Sequence, residues 1–368
     1  MDEKSRAKIK DIKSRIIAML KERRSLERQD ETLVSPSNYW SDFCSYFDYL
    51  LDLSEESFEK IRLHTYHLTG DNYQAYYFGD AETFMKTNGL NRFTKDLPSA
   101  YVLNEPEGGI GFRLGNGRFV SLDILRYQRA VSTLYRHGIL SELAGNNRPR
   151  RLVLEIGAGY GGLAHHLSNI CQNITYIIVD LPETLLFAAT YLALHNPEKK
   201  IYVYGPDDHV KAIQQGEIES YDFVFIPNYK LESLLHLRYD LVLNLASFQE
   251  MRTAQVEANL EFIRKTCVGV LYSFNRDHQP RNKELSSLSG LLSQKFELIE
   301  IHEEESTRAR KIINILKSAI RETRRLIAKF FGLLKRTTTG GRSAKSISAL
   351  PYREYLCRPH NRSVDATN

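Results

Sequence analysis

Cysteine is scarce: the 368 residues hold only Cys44, Cys171, Cys267 and Cys357, and no two lie close in sequence. That spacing offers neither a paired-cysteine metal site nor a disulfide framework, and it reads as reduced, mostly buried thiols. No uninterrupted apolar run is long enough to span a bilayer. The start, Met1-Asp2-Glu3-Lys4, lacks the apolar core of a secretory signal. The expected location is therefore the cytoplasm. The body of the chain also lacks positive charge. The total is +5, yet residues 308–345 alone carry twelve Lys or Arg against Glu322, a surplus of eleven that leaves the rest at −6. A mildly acidic body argues against nucleic acid as a partner.

What is present fits a globular chain, with 42% hydrophobic and 26% charged residues. The length allows two domains or one elaborated one. The most informative stretch is Leu152-Val-Leu-Glu-Ile-Gly-Ala-Gly-Tyr-Gly-Gly162. Its short apolar run is what a strand buried on both faces looks like. Glycines directly after such a strand let the backbone turn tightly and approach a ligand. Residues 163–167 can open a helix whose free N–H groups face the loop. Strand, glycine loop and helix begin a nucleotide-binding βαβ unit.

Two acids narrow the nucleotide. Asp180 ends a second apolar run about 20 residues on, where an acid binds ribose hydroxyls. Glu155 stands just before the first glycine. A pyrophosphate at the loop is poorly served by a carboxylate, whereas the sulfonium and ammonium of S-adenosylmethionine (SAM) tolerate or welcome one. The Glu-x-Gly-x-Gly-x-Gly form resembles motif I of class I SAM-dependent methyltransferases. The cofactor-binding candidates are Glu155, Gly157, Ala158, Gly159, Tyr160 and Gly161, with Asp180 and Leu181 at the second strand end. Asn228 could meet the adenine edge, and Asn244 lies at a later strand end.

Five regions follow along the chain. Residues 1–35 centre on a charged helix with Ile9, Ile12, Ile16 and Leu20 in one stripe, which reads as a surface or dimer-packing helix. Residues 36–148 are aromatic-rich and mostly helical, serving as a substrate or lid domain. Some of their rings could line a sugar-sized cleft. A hairpin is expected over 110–121, turning at Gly115-Asn116-Gly117, then a helix over 122–143. Residues 149–305 form the SAM-binding domain. Residues 201–204 and 223–226 compete for its third strand, and the second is preferred. Residues 349–360 supply a final strand through Tyr352-Arg-Glu-Tyr-Leu-Cys357, because the methyltransferase sheet ends in an antiparallel hairpin.

That leaves 306–348 as an insertion inside the final hairpin. At helical periodicity its Ile, Leu and Phe residues fall in an arc of about 160°, with Lys and Arg opposite. Low hydrophobicity with a basic polar face describes a helix lying on an anionic membrane surface. Packing on its own domain or on a second copy in a homo-oligomer is the plainer alternative.

A closer resemblance joins three segments: Glu155-Ile-Gly-Ala-Gly-Tyr-Gly-Gly-Leu-Ala164, Tyr176-Ile-Ile-Val-Asp-Leu-Pro-Glu-Thr-Leu185, and Asp240-Leu-Val-Leu-Asn244 with Ser247-Phe-Gln-Glu-Met251. Together they are similar to bacterial sugar O-methyltransferases over residues 100–275, and Leu125-Arg126-Tyr127 is similar to a segment of the same family. The resemblance implies a class I SAM-methyltransferase sheet of Rossmann-like α/β type, with a mostly helical N-terminal domain and SAM as cofactor. It also implies a sugar or glycan acceptor, and the basic segment suggests a lipid-linked one.

Methyl transfer is an in-line displacement, so positioning carries much of the rate. A sugar hydroxyl is a poor nucleophile and gains from a general base. The base belongs at the carboxyl ends of the strands. Glu250, His278 and Asp277 are the catalytic candidates, with His165 and His166 behind them. Gln249, Ser247, Arg126 and Tyr127 could orient the acceptor. Asp207-Asp208-His209 invites a metal, but three adjacent ligands in a loop more often start a helix, and no metal is expected.

The reading is a SAM-dependent O-methyltransferase of sugar hydroxyls in surface-glycan or glycosylated-metabolite synthesis, cytoplasmic and peripheral on the inner membrane face. Its rivals are a non-catalytic SAM-binding scaffold and an NAD(P)-dependent reductase. If the basic segment holds the protein to membranes, deleting 306–345 releases it from anionic vesicles in a flotation assay. Equal flotation of both proteins would exclude that role.

Overall fold

The computed structural model describes residues 1–27, 32–70, 76, 79–83, 89–145, 149–214, 216–302 and 351–360. The basic insertion, and with it the amphipathic and membrane expectation, lies outside the described residues. No described helix is long and apolar enough to cross a membrane.

In chain order come α1 (Glu3–Leu26), α2 (Asn38–Ser45), a hairpin of β1 (Phe112–Arg113) and β2 (Phe119–Val120), and α3 (Leu122–Arg136). The main sheet begins with β3 (Arg151–Ile156), α4 (Gly162–Ile170), β4 (Ile174–Asp180) and α5 (Pro182–His195). It continues with β5 (Ile201–Val203), β6 (Phe223–Pro227), β7 (Tyr239–Leu245) and α6 (Thr253–Thr266). The last strands are β8 (Cys267–Arg276), β9 (Phe296–Glu300) and β10 (Tyr352–Pro359).

The eight strands lie in the order β5-β6-β4-β3-β7-β8-β10-β9. The first six run parallel, and β10 inserts antiparallel between β8 and β9. Helices cover both faces, so Val153, Leu154, Ile177, Ile178, Leu241 and Val242 are wholly buried. This is a Rossmann-like α/β fold, with the reversed final hairpin expected of a class I methyltransferase sheet. Residues 223–227 pair with β4, as preferred, and 201–203 add an outer parallel strand. β3 pairs with β4 on one side, and the chain returns past it to β7 on the other, so the strand order reverses there. Sheets of this kind bind ligands in the crevice that such a reversal opens at the strand ends.

The N-terminal helix corrects one expectation. Ile9, Ile12, Ile16 and Met19 are buried within the chain, where α1 packs along α5. The cause is α5, apolar on nearly every side, which needs cover on its outer face as well as on the sheet. Arg23 fixes the pairing with a two-pronged contact to Glu183 at 2.8 and 2.5 Å. The helix expected over 122–143 is broken. Gly138, at φ +76°, ends its first part with a left-handed turn, and Ile139–Leu143 form a separate helix.

Arg62 joins the N-terminal region to the sheet. It is 2% exposed and donates to Glu105 at 3.1 Å, Asp123 at 2.7 Å and Thr65 at 2.5 Å. Its guanidinium lies 4.2 Å from the ring centre of Tyr160, inside the glycine loop. Removing one member of a buried ion cluster strands the others. Arg62→Ala should cost about 3–5 kcal/mol in urea unfolding. Arg62→Lys should recover part of that, since the charge remains but the fork is lost.

Candidate functional site

The glycine loop does what its sequence requires. Gly157, Gly159 and Gly161 sit at φ +77°, +59° and +82°, a region that penalises a side chain. The Gly157 N–H donates to the Val179 carbonyl at 2.9 Å, which ties the loop to β4. Asp180, at the end of β4, accepts from the Gly159 N–H at 3.2 Å and the Leu181 N–H at 2.8 Å. Ser247 comes from the loop after β7. Its Oγ would stand 1.9 Å from a Cβ built on Gly157, so glycine is required for the two loops to touch. The neighbouring Ala246 takes a left-handed φ of +58°, rare for a residue with a side chain.

These loops wall a pocket of about 1170 Å³, counting its open mouth. Of the candidates, the pocket wall includes Glu155, Gly157, Ala158, Gly159, Tyr160, Asp180, Leu181, Asn228, Ser247, Glu250, Arg126 and Tyr127. Three carboxyl groups there are held well above their ordinary range. Burial pushes Glu155 up to about 8, against the 2.7 Å hydrogen bond it accepts from the Tyr176 hydroxyl. Burial likewise lifts Asp180 to about 7, opposed by its backbone donors. Glu250 reaches about 8 by the same cause, although Trp40 and Gln249 donate to it. Such crowding of costly carboxyl groups is typical of a functional cleft. The Asn228 amide donates to the Leu33 carbonyl, while its buried oxygen has no partner.

The other side of the pocket is N-terminal, and sequence reasoning did not foresee it in detail. Leu33, Pro36, Ser37 and Trp40 cross the mouth, and Leu68 and Thr69 stand beside them. Trp40, the single tryptophan, donates its indole N–H to Glu250 Oε2 at 3.1 Å. Ser37 donates to the Glu250 carbonyl at 2.6 Å. Asp123, Met251, Gln255, Asn259 and Tyr352 also line the wall. Trp40 carried a faint signal as the lone tryptophan in an aromatic segment. Tyr352 carried none, since it arrives from the last strand.

Several candidates stand elsewhere. Asp277 is off the pocket wall and caps a short helix, accepting from the Ser289 N–H at 2.6 Å and from Ser287. The His278 side chain is 52% exposed, beside Asp277. Asn244 is wholly buried and braces the loop, donating to the Ile156 carbonyl and accepting from the Phe248 N–H. Gln249 is buried too, with its oxygen taken by the Arg276 N–H. Gly161 packs against Leu192 behind the pocket. His165 and His166 are lowered by burial to about 4 and 3, and sit among His195, Tyr191 and Tyr127 away from the pocket wall. Asp208 pairs with Arg15 at 3.1 Å, and His209 meets the Ser233 hydroxyl at 2.8 Å.

No known family model matches this sequence, and no curated protein does. Solved structures are similar to it only at low identity and low TM-score. WbdD is 16% identical at a TM-score of 0.38, covering 73% of this chain and 46% of its own. A phosphoethanolamine N-methyltransferase 2 from Haemonchus contortus, bound to phosphomonomethylethanolamine and S-adenosylhomocysteine, is 13% identical at 0.32. That match covers 61% of this chain, which spans about half (51%) of the Haemonchus enzyme. A TehB-like SAM-dependent methyltransferase from Corynebacterium glutamicum is 13% identical at 0.29, covering 47% and 83%. At these scores no chemistry is carried over from them.

The contact between the two loops predicts the cost of a single methyl group. Gly157→Ala should lower the unfolding free energy by about 1–3 kcal/mol, through left-handed strain and displacement of Ser247. It should also weaken SAM uptake in calorimetry, whereas Gly115→Ala, with open space around it, should leave uptake unchanged.

Proposed function

We propose that this chain is a SAM-dependent O-methyltransferase acting on a sugar hydroxyl, with Glu250 as the general base. The observation that carries the reading is Glu250 itself. It shares one pocket with the glycine loop, Glu155 and Asp180, is oriented by Trp40, and is held near 8 by burial.

The pocket suits a cationic nucleoside. Glu155 and Asp180 are carboxyl groups that burial makes reluctant to ionise, and a cation beside them would relieve that cost. The unpartnered Asn228 oxygen could accept from an adenine amino group, and Asp180 could receive ribose hydroxyls. When bound, SAM would supply an electrophilic methyl group on a sulfonium. A dinucleotide fits less well. The Gly159 N–H is already taken by Asp180, and Asp123, Glu155, Asp180 and Glu250 face a single cation, Arg126, among the described wall residues. A pyrophosphate would meet more repulsion than attraction.

The acceptor side mixes apolar groups, two of them flat rings, with hydrogen-bonding ones: Trp40, Tyr352 and Leu68 beside Thr69, Gln255 and Asn259. That mixture supports a sugar, whose ring offers apolar faces and a rim of hydroxyls. Glu250 would take the proton of the attacking hydroxyl as that oxygen gains the methyl carbon's bond and the bond to the sulfonium sulfur breaks, leaving a neutral thioether. The basic segment at 308–345 supports a lipid-linked glycan at the inner membrane face as one form of that acceptor.

The base works only when ionised, so its raised pKa fixes the direction of the pH dependence. The kcat/KM should climb as pH rises through about 8 and level off above it. Glu250→Gln should lower turnover by about 10²–10⁴ and remove that limb, leaving SAM affinity nearly intact. Trp40→Phe takes away a donor that favours the carboxylate, so the limb should move to higher pH. A scaffold would form no methylated product from any acceptor. A reductase would bind NADH rather than SAM in parallel titrations. A profile flat across pH ~6 to ~9 would reject Glu250 as the base.

A further inference from the structure

Aromatic rings continue outward from the pocket mouth. Trp40 lines the wall, and Phe43 follows it one turn along α2 at a ring separation of 5.7 Å. Tyr46 is next at 6.1 Å from Phe43, then His67 at 5.6 Å from Tyr46, then Tyr66 at 5.1 Å from His67. The path returns to the pocket, because Leu68 and Thr69 are themselves wall residues. The group is thus bounded by two chain segments that both end in the cleft.

Its outer members face water. Tyr46 is 56% exposed and Tyr66 49%, and His67 is exposed as well. Large rings left exposed side by side mark a binding surface more often than chance. Their chemistry selects the ligand. Tyrosine offers a flat apolar body with a hydroxyl at its tip, at little entropic cost on binding. Between the rings α2 exposes Ser41, Asp42 and Ser45, which can exchange hydrogen bonds with hydroxyl groups. Residues 36–49 contain Asp42 and Asp48 but no Lys or Arg. That charge disfavours a phosphorylated or carboxylated ligand and leaves a neutral, hydroxyl-rich chain.

We propose that these rings bind the non-reacting units of an extended neutral glycan while one of its hydroxyls lies at Glu250. The inference rests on the sugar reading above and adds to it: the acceptor is an oligosaccharide or polysaccharide chain, not a lone sugar. Chain beyond the reacting residue would lie across Phe43, Tyr46 and Tyr66, and its binding would raise affinity without touching the chemistry.

The test uses the full chain, an array of neutral oligosaccharides and the methyl glycosides of their constituent monosaccharides, with S-adenosylhomocysteine present for binding and SAM in its place for turnover. Wild type should retain oligosaccharides more tightly than the matching monosaccharides. Tyr46→Ala/Tyr66→Ala should lose about tenfold in Kd for the longer ligands, the effect of removing two ring contacts. It should keep its melting temperature, its SAM affinity and its turnover of any monosaccharide acceptor. Tyr66→Ser alone should show a smaller loss of the same kind. Retention independent of chain length, or indifferent to both variants, overturns the proposal, as does retention of no oligosaccharide. If monosaccharides are methylated without any gain from length, this inference fails and the sugar reading stands. If no saccharide is methylated while a simple phenol is, both fail.

Discussion

The buried guanidinium of Arg62 is the constraint through which the N-terminal region and the pocket are made one body. A charge at 2% exposure is tolerable only if it is paired and hydrogen-bonded. Arg62 meets that demand from three directions: Glu105 before the hairpin, Asp123 on α3, and the ring face of Tyr160 in the glycine loop. Burial nonetheless lifts Glu105 above its ordinary range against the pull of Arg62. Asp123 also accepts from Arg126 at 2.9 Å, which brings the network to the pocket wall. The shape of the glycine loop therefore depends on residues nearly a hundred positions upstream.

The pocket concentrates cost of a different kind. Glu155, Asp180 and Glu250 are each raised by burial, and Ala246 holds a left-handed backbone between β7 and Ser247. A fold selected for stability alone would have little reason to gather these in one place. Gathered there, they give a cavity that rewards a cation and, in Glu250, a carboxyl suited to the proposed role of base. The expense is carried by the sheet, whose central strands are buried on both faces, and by α5 with its cover of α1.

Much of this was legible in the sequence, and the reason is locality. The glycine loop, Glu155 and Asp180 lie within one βαβ unit, so their spacing alone predicts their meeting. The last strand was legible because the fold needs a reversed hairpin and one apolar run remained to supply it. What stayed hidden depends on long-range contact. Asp123, Trp40 and Tyr352 reach the pocket from three separate regions. Asn244, Gln249 and Asp277 mislead for another reason. A buried amide bracing a loop and a carboxylate capping a helix look, in sequence, the same as ligand-binding groups at a strand end. Only their partners separate them: the Ile156 carbonyl, the Arg276 N–H and the Ser289 N–H.

The N-terminal strap over the pocket and the loop bearing Glu250 act as a single unit. Arg252 and Gln255 donate to the carbonyls of Thr32 and Ser35, Ser37 donates to the Glu250 carbonyl, and Trp40 holds the carboxyl itself. These hydrogen bonds join strap to loop directly, beside the buried Val34. Displacing the strap would therefore also release the donor that favours the ionised form of Glu250, leaving burial and wetting to compete. The same segment that narrows the mouth thus governs how the Glu250 carboxyl is aimed and how readily it ionises. Access to the pocket and the ionisation of Glu250 are coupled by construction, because one stretch of backbone bears on both.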